Sequence, residues 1–353
     1  MKKILFLLMI LAGSHFAQAQ KLVGVGRLIQ GGVSDGEKLV DAYIKPLNRA
    51  MMVGLNNSGF NGAYDTEDDH RFSLSLNMSL VSIPDEYKTF DVNQLGLESV
   101  EAKDSKNSIA QTAFGDSVSI KLVSKYGLGS LRYFSFNTTK GSGYHALPLP
   151  YLNGTMRLGN LVVGAQVIPP VILPKSDVRA WLFGLNVQEN LEGLLPFLED
   201  LPFDLHGGGG FFLFHAHSDL DVKPESVKVN LPLTNDTKGP YDNQELKIVY
   251  TGFYATAYAS AKINIFTPFV GLGFNTGTSS FDVLGTYPIY AKSPGNLAGV
   301  RAEDIEDPIQ SADNYTRVKL EVGGRFDFGR FFGQASYTLA DFGGLGGSLG
   351  VRF

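Results

Sequence analysis

Two histidines and two aspartates alternate within one short stretch of the chain. They are His215, His217, Asp219 and Asp221. A spacing of two residues places side chains on one face of an extended strand. Imidazole and carboxylate groups on one face can bind a divalent metal ion, so the pattern indicates a candidate metal site. The alternative is a solvated polar rim where a strand enters a surface loop, and we prefer that interpretation.

A second polar set alternates close to the C-terminal end of the chain. It consists of Arg317, Lys319, Glu321, Arg325 and Asp327. Apolar residues such as Val318 and Leu320 stand between them, so the strand has one charged and one apolar face. The charged face cannot contact lipid, where a midplane Arg or Lys costs about 2 to 4 kcal/mol, and we expect it to line an interior. Its mixed signs fit a salt-bridge network or a polar conduit, and the network is the more common arrangement.

The sequence supports neither catalysis nor a bound cofactor. The chain has no Cys, which excludes a cysteine nucleophile, a thiolate metal site and disulfide bonds. No His-Glu-x-x-His motif occurs. The net charge of -5 argues against nucleic acid as a partner, because phosphates require a basic surface. We therefore predict a protein that is not an enzyme.

The alternating pattern recurs along the chain and predicts antiparallel β-strands. It is clear at residues 71–83, 315–328, 331–340 and 345–353. Two architectures use such strands at this length. One is a soluble barrel or sandwich with its core inside, and the other is a transmembrane barrel with its apolar face outside.

Four further features favour the membrane. Only 18% of the residues are charged, against about a quarter in soluble domains. Aromatic residues end the strands, and short turns alternate with long polar loops, as in outer-membrane barrels. The basic Lys2 and Lys3, the apolar run at 4–12 and the small residues at 17–19 predict a signal peptide cleaved before Gln20. We expect export to the outer membrane of a Gram-negative bacterium, with a signal peptide at 1–19, a helical segment at 20–69 and a barrel at 70–353.

Counting strands back from the C-terminus predicts an all-β antiparallel barrel of about 12 strands, with 10 and 14 left open. The predicted strands lie near 345–353, 331–340, 315–328, 269–284, 244–263, 202–217, 178–188, 155–168, 130–138, 117–125, 87–98 and 71–83. The final strand must run toward the periplasm. The stretches 218–243 and 285–314 are then external loops, and 264–268 and 329–330 are periplasmic turns.

Two segments carry a helical pattern instead. In the first, at 34–55, Ser34 and Glu37 form a capping box, and Pro46 should kink or break the helix. Its apolar face includes Leu39, Tyr43, Leu47 and Met51. This helix can plug the lumen, lie on the periplasmic surface or contact a partner. The second segment, at 189–198, is interpreted as a helical turn at the lower rim.

Three short motifs carry a resemblance to known families. Asp41-Ala42-Tyr43, Gly54-Leu55-Asn56-Asn57 and Leu201-Pro202-Phe203-Asp204-Leu205 resemble a family of uncharacterised Gram-negative outer-membrane barrels. The last strand, ending at Phe353, is similar to the signature that the barrel-assembly machinery reads. The architecture is loosely similar to the long-chain fatty-acid channel family, although the Asn-Pro-Ala hatch motif of that family is absent. That likeness implies an N-terminal plug and transport of hydrophobic compounds.

Two functions of different classes follow from this interpretation. The first is a channel or transporter for small or hydrophobic compounds, with an N-terminal plug and a hydrophobic small-molecule ligand. The second is a barrel that transports nothing and serves a structural, adhesive or assembly role. Both have outer-membrane lipid as a partner. The twelve-stranded outer-membrane phospholipase is excluded as a relative, because its His-x-Ser-Asn arrangement is absent.

Overall fold

A computed structural model gives the fold of the chain. It describes residues 24–56, 70–128, 131–172, 178–191, 202–230, 233, 237–292 and 300–353. The predicted signal peptide lies outside the described residues, and so does 192–198 of the second predicted helical segment.

The described residues form two helices and a series of strands. The helices are α1 (Val25–Leu28) and α2 (Val33–Asn56), with 3₁₀ turns at Ile29–Gly31, Asp85–Tyr87, Val92–Leu95 and Pro224–Ser226. The strands are β1 (Phe72–Ser82), β2 (Thr89–Asp91), β3 (Val100–Ala102), β4 (Ile109–Gln111), β5 (Lys121–Ser124), β6 (Gly127–Leu128), β7 (Leu131–Arg132), β8 (Phe134–Asn137), β9 (Ala146–Leu158), β10 (Leu161–Ile172), β11 (Arg179–Asn190), β12 (Asp204–Asp219), β13 (Lys228–Val229), β14 (Glu245–Ser260), β15 (Phe266–Leu284), β16 (Thr286–Lys292), β17 (Val300–Glu306), β18 (Ile309–Phe328), β19 (Phe331–Leu339) and β20 (Gly344–Arg352).

Ten of these strands close into an antiparallel barrel. Their order around the barrel is β1-β20-β19-β18-β15-β14-β12-β11-β10-β9. The first and last barrel strands pair directly, with Leu76 opposite Leu349, so closure leaves no free edge at that level. The predicted all-β antiparallel barrel is therefore confirmed.

The barrel exposes its apolar side chains. Val318 is 68% exposed and Leu349 is 69% exposed, and both lie on the outward face of a strand. Many large hydrophobic residues share this face: Phe72, Leu74, Phe183, Leu185, Phe253, Leu272, Phe274, Leu320, Val322, Phe326, Phe328, Phe331, Leu339 and Leu345. We call this ring of residues the apolar band. Exposed apolar surface of this extent belongs against hydrocarbon rather than water.

The two ends of the barrel differ. Strands β9 and β10, and strands β18 and β19, are joined by two-residue turns that contain Gly159 and Gly329, whose φ values of +65° and +59° suit glycine. At the opposite end, 83–145, 220–244 and 285–308 connect the strands. We refer to these as the short-turn end and the long-loop end. In outer-membrane barrels the short turns face the periplasm.

Small sheets from the long connections cover the long-loop end. Strands β13, β8, β5 and β3 form one sheet, and β16 and β17 form a hairpin. We call these elements the cap. The rings of Phe134 and Tyr290 join the sheet to the hairpin at 6.2 Å. The chain around α1 and the following turn packs against the same cap, since a Cβ on Gly31 would lie 2.7 Å from Val100.

The strand count of about twelve was wrong. The segment predicted at 155–168 is two strands, β9 and β10, with a tight turn between them. The segments predicted at 87–98, 117–125 and 130–138 lie in the long connection at 83–145, where each described strand has only two to four residues. A transmembrane strand needs about 9 to 11 residues, so none of these pieces can cross a bilayer.

Helix α2 is continuous from Val33 to Asn56 in spite of Pro46. A proline in a helix removes one backbone N–H and clashes with the preceding turn, which is why we expected a kink or a break. The helix carries buried residues on both sides of the proline, including Tyr43 and Ala50. Tertiary packing therefore holds the helix across Pro46. Among the described residues, no helix is both long and apolar enough to cross a membrane.

Candidate functional site: the helix in the barrel mouth

Helix α2 lies inside the mouth of the barrel at the long-loop end. It contacts β1 and β9 on one side and β14, β15 and β18 on the other. In the barrel order these two groups are separated by β20 and β19 in one direction and by β12, β11 and β10 in the other. The helix therefore spans the interior from one wall to the opposite wall.

Among the described residues, three side-chain hydrogen bonds join the helix to barrel strands. Ser311 Oγ donates to Asp41 Oδ1 at 3.2 Å. Tyr250 OH donates to Asn48 Oδ1 at 2.7 Å. Near the end of the helix, Lys319 Nζ donates to the backbone oxygen of Asn56 at 3.0 Å. The barrel residues of these bonds advance along the wall from the loop rim to the upper edge of the apolar band.

The predicted apolar face of the helix is packed. Leu39, Tyr43 and Met51 are 0%, 5% and 4% exposed, and Leu47 is partly buried. The wall approaches this helix closely near its end. A Cβ on Gly54 would lie 2.4 Å from Leu149 Cδ1, so glycine is what allows this approach.

A buried carboxylate fixes the start of the helix to the cap. Asp35 is 2% exposed and accepts backbone N–H groups from Glu98 at 2.7 Å, Ser99 at 2.7 Å and Val100 at 3.1 Å. Asp35 is not among the residues predicted from the sequence, in which Ser34 and Glu37 form the predicted capping box. The only signal was an acidic residue in the first helical turn, because its donors lie more than sixty positions away.

Arg317 lies apart from the other members of its predicted set. Its side chain is 46% exposed at the rim, where its Nε lies 2.7 Å from Asp341 Oδ1. Arg49 of helix α2 reaches the same carboxylate at 3.5 Å and donates to Tyr87 OH at 3.0 Å. This group of side chains lies at the rim above the short strands β19 and β20.

The other four members of the set face the barrel interior. Lys319, Glu321 and Arg325 are 1%, 3% and 3% exposed. Tyr258 OH donates to Glu321 Oε2 at 2.8 Å. Asp327 pairs with Arg325 at 2.9 Å and with a further arginine, Arg352, at 3.0 Å. Opposite charges are thus paired at Asp327, whereas Lys319 and Glu321 bond to a backbone oxygen and a tyrosine hydroxyl.

The four predicted metal ligands are not brought together. His215 and His217 lie on the outward face of β12, and the ring of His215 stacks on Trp181 at 5.9 Å. Strand β12 ends at Asp219, so the two-residue alternation does not reach Asp221, which pairs instead with Lys223 at 3.2 Å. In the part of the chain that the structure describes, no group of three or more His, Asp or Glu is placed to hold a metal ion.

Comparison with known proteins identifies a family without an assigned activity. The family model described as "Family of unknown function (DUF6588)" matches residues 1–353. No curated protein matches the chain.

Several solved outer-membrane barrels are similar to the chain at low identity. The outer-membrane protease OmpT of Escherichia coli is 10% identical over 82% of this chain and 100% of its own, with a TM-score of 0.28. The translocator domain of autotransporter NalP of Neisseria meningitidis is 12% identical over 88% and 96%, with a TM-score of 0.27. The toluene transporter TbuX of Ralstonia pickettii is 10% identical over 87% and 98%, with a TM-score of 0.17. Similarity at this level carries no argument about function.

Proposed function

We propose that the chain, which belongs to the family of unknown function DUF6588, is an outer-membrane channel for small or hydrophobic compounds that helix α2 plugs. The observation that carries this proposal is the position of α2 across the mouth of a closed barrel. The helix is joined to the chain only through its ends, and it meets the wall through packing and a few hydrogen bonds. The helix can therefore separate from the wall while the strand pairing of the barrel stays intact.

The outer-membrane location is supported by the apolar band. On the outward faces of β15 and β18 the band ends at Phe274 and Val318. Just beyond it, Thr276 and Thr316 are hydrogen-bonded at 2.8 Å, and Thr278 donates to Asn314 at 2.9 Å. A change from apolar to hydroxyl and amide side chains is what a strand needs where it leaves hydrocarbon for water.

The polar lining of the wall supports a conduit. The interior carries amide side chains that are almost fully buried: Asn153, Gln166, Asn186 and Asn275. A barrel filled permanently by a packed core is expected to place apolar residues there, because buried polar groups cost free energy unless they are hydrogen-bonded. A wall of amides and charges suits an interior that water enters when the mouth opens.

The test removes two wall contacts from the helix and leaves the barrel intact. In the double variant Tyr250→Phe and Lys319→Met, α2 loses its bonds at Asn48 and Asn56 while the side chains keep their size. Bonds to neutral groups contribute about 0.5–1.5 kcal/mol and those to charged groups about 1.5–3 kcal/mol, so the undocked helix becomes at least about thirtyfold more populated. We expect more frequent or longer openings in planar-bilayer recordings.

The matched control is Lys247→Met, which removes a lysine from β14 on the outward face. It should conduct like the wild-type protein. The channel proposal would be contradicted if the wild-type and double-variant proteins both fold and neither conducts.

The second candidate is a barrel that transports nothing and presents the cap. The bonds from Glu98, Ser99 and Val100 to Asp35 favour it, since they seal the cap onto the start of α2. It predicts silence in every recording, including that of the double variant.

A further inference from the structure

Strand β18 has an open edge at the long-loop end. It pairs with β15 from Ile309 to Phe326, but it pairs with β19 only from Leu320 to Phe328. In the described part of the chain no strand pairs with the other side of 309–319. At about 3.3 Å per residue this edge is roughly 36 Å long.

The edge exists because neighbouring strands have unequal lengths. Strands β19 and β20 have 9 residues each, whereas β18 has 20. The short pair ends at the upper limit of the apolar band, while β15 and β18 continue beyond it. The open edge therefore lies in water outside the bilayer.

This edge lacks most of the usual protection against strand pairing. It contains no proline, and Ala312, Asn314 and Thr316 are exposed. Of its charged residues, Arg317 is already held by Asp341. A row of backbone N–H and C=O groups in water is a template for an added strand.

The upper part of the inner face of the edge is acidic, while Arg317, which pairs with Asp341, and the buried Lys319 lie further down the same face. Asp313 and Ser311 lie on the same face of β18, and Ser311 donates to Asp41 of the helix. Partial burial raises the pKa of Asp41 above its ordinary value, and the nearby charges of Glu37 and Asp313 raise it further. A strand that docks here meets several carboxylates, so lysine or arginine side chains on its inner face are favoured.

A second copy of the chain does not fit this edge. Two barrels in one membrane are related by rotation about the membrane normal, so both copies of β18 run toward the membrane. Rotation about that axis cannot make the two edges antiparallel. The partner must therefore be a polypeptide segment that can bind antiparallel to β18.

We infer that the open edge of β18 at 309–319 binds an extended, basic polypeptide segment from outside the cell by strand addition. The added strand continues the line of β19 beyond Leu339 and extends an existing ladder. This inference uses the placement of the barrel in a membrane, but it does not depend on the channel or on movement of α2.

The experiment measures peptide binding to the full chain in detergent micelles. The probe is a fluorescein-labelled peptide of five Thr-Lys repeats, followed by fluorescence anisotropy. A second peptide has the same sequence with alternate backbone amides N-methylated, and a third has Glu in place of Lys. Because N-methylation removes several backbone hydrogen bonds at once, we expect it to weaken binding at least about tenfold. The Glu peptide should bind more weakly than the Lys peptide.

Variants locate the site. Asp313→Asn should weaken binding of the Lys peptide about two- to fivefold, as loss of an exposed ion pair does. The control Asp282→Asn removes a carboxylate from β15, a strand paired on both sides, and should change nothing. Because the chain has no Cys, an Asn314→Cys variant can be trapped by a cysteine-bearing peptide, and Ser280→Cys on β15 serves as its control.

Three results would overturn the inference. One is absence of saturable binding by the Lys peptide. Another is equal binding of the N-methylated peptide, since that would indicate adsorption by charge alone. The third is trapping at Ser280→Cys as efficient as at Asn314→Cys, which would place the peptide away from the edge.

Discussion

At the scale of single residues, Lys319 and Arg317 show what alternation predicts and what it leaves out. The two-residue spacing places both side chains on the inner face of β18. The two side chains have different surroundings, because the neighbouring strand β19 ends at Leu339, which pairs with Leu320. Lys319 lies next to this point and is buried, with its Nζ bonded to the backbone oxygen of Asn56. Above it the wall is open and Arg317 stays exposed at the rim, which no pattern within one strand can reveal.

Asp35 could not have been found from local sequence. Its partners are three consecutive backbone N–H groups of the cap, and backbone groups carry no side-chain signature. The predicted capping residues Ser34 and Glu37 were assigned from neighbours along the chain. The actual contact is long-range and depends on how the cap folds over the helix.

Replacement of Asp35 tests this anchor. Asp35→Asn keeps the shape of the side chain but replaces one of its two accepting oxygens with an NH₂ group. Loss of bonds to a buried carboxylate costs about 1–3 kcal/mol. We expect the amides of Glu98, Ser99 and Val100 to exchange hydrogen at least about fivefold faster.

The matched control is Asp104→Asn, in an exposed turn where the carboxylate accepts from Lys106 N. It should leave exchange at residues 98–100 unchanged. Unchanged exchange in Asp35→Asn would mean that the carboxylate does not hold the cap.

At the scale of elements, the sequence predicted α2 well because its apolar residues recur at three- and four-residue steps. The bounds of 34–55 agree with Val33–Asn56 within one residue at each end. The helix does not break at Pro46 as predicted, because packing on both sides of the proline outweighs the loss of one backbone hydrogen bond. The residues of the predicted face, among them Leu39 and Met51, are buried as a plug requires. Their role in closing a channel stays a prediction.

The pH dependence of α2 docking follows from Asp41. Burial raises the pKa of this carboxyl in the docked helix above its value in a free helix. The docked state therefore binds a proton more readily, and docking gains stability as the pH falls through the raised pKa. Above that pKa the docked carboxylate is charged and the gain is lost. Bilayer recordings should show fewer openings at acidic pH than at neutral pH.

An Asp41→Asn variant should remove this dependence and resemble the acidified wild-type protein at neutral pH. An unchanged pH profile in Asp41→Asn would exclude this residue as its source.

Strand prediction succeeded where alternation was long and failed where turns were tight. Strands β14, β15 and β18 have 16, 19 and 20 residues, and alternation located each of them. The first six residues of β18, 309–314, had been predicted as part of the external loop at 285–314. Strands β9 and β10 carry proline and apolar runs that hide the turn at Gly159. The pieces in the cap have strand composition, but they are too short to span a bilayer.

At the scale of the whole molecule, the apolar band accounts for the low charge content noted in the sequence. A barrel turned inside out needs apolar residues on its outer face and polar residues within, and both are seen. The number of barrel strands depends on which strands pair around the barrel. Short strands in the long connections were counted as barrel strands, so the predicted number was too high.

The band gives a prediction for stability in lipid. Leu349 lies opposite Leu76, at the middle of β1. Leu349→Lys should lower the free energy of unfolding in lipid bilayers by about 2 to 4 kcal/mol, because the ammonium meets hydrocarbon. Thr278→Lys, above the band on β15, should cost no more than about 1 kcal/mol. Equal costs for the two variants would place the bilayer elsewhere on the barrel.

If α2 must leave the barrel mouth for compounds to pass, a reversible disulfide that holds α2 in place should stop conduction reversibly. A Cβ on Gly54 would lie 3.6 Å from Leu149 Cγ, the atom whose place a cysteine sulfur would take, so cysteines at both positions bring their side chains close enough to be tested as a disulfide pair. Leu149→Cys also removes the methyl group that a Cβ at Gly54 would strike. With no native Cys, no other disulfide can form within the chain.

The measurement is bilayer conductance of the Gly54→Cys, Leu149→Cys protein, recorded under oxidant and then under reductant, with each single variant as a control. We expect channel openings in the reduced protein, their loss on oxidation and their return on reduction. The conductance of the single variants should not change with oxidant or reductant. Equal conductance of the oxidised and reduced protein, with the disulfide verified by mass spectrometry, would contradict this expectation.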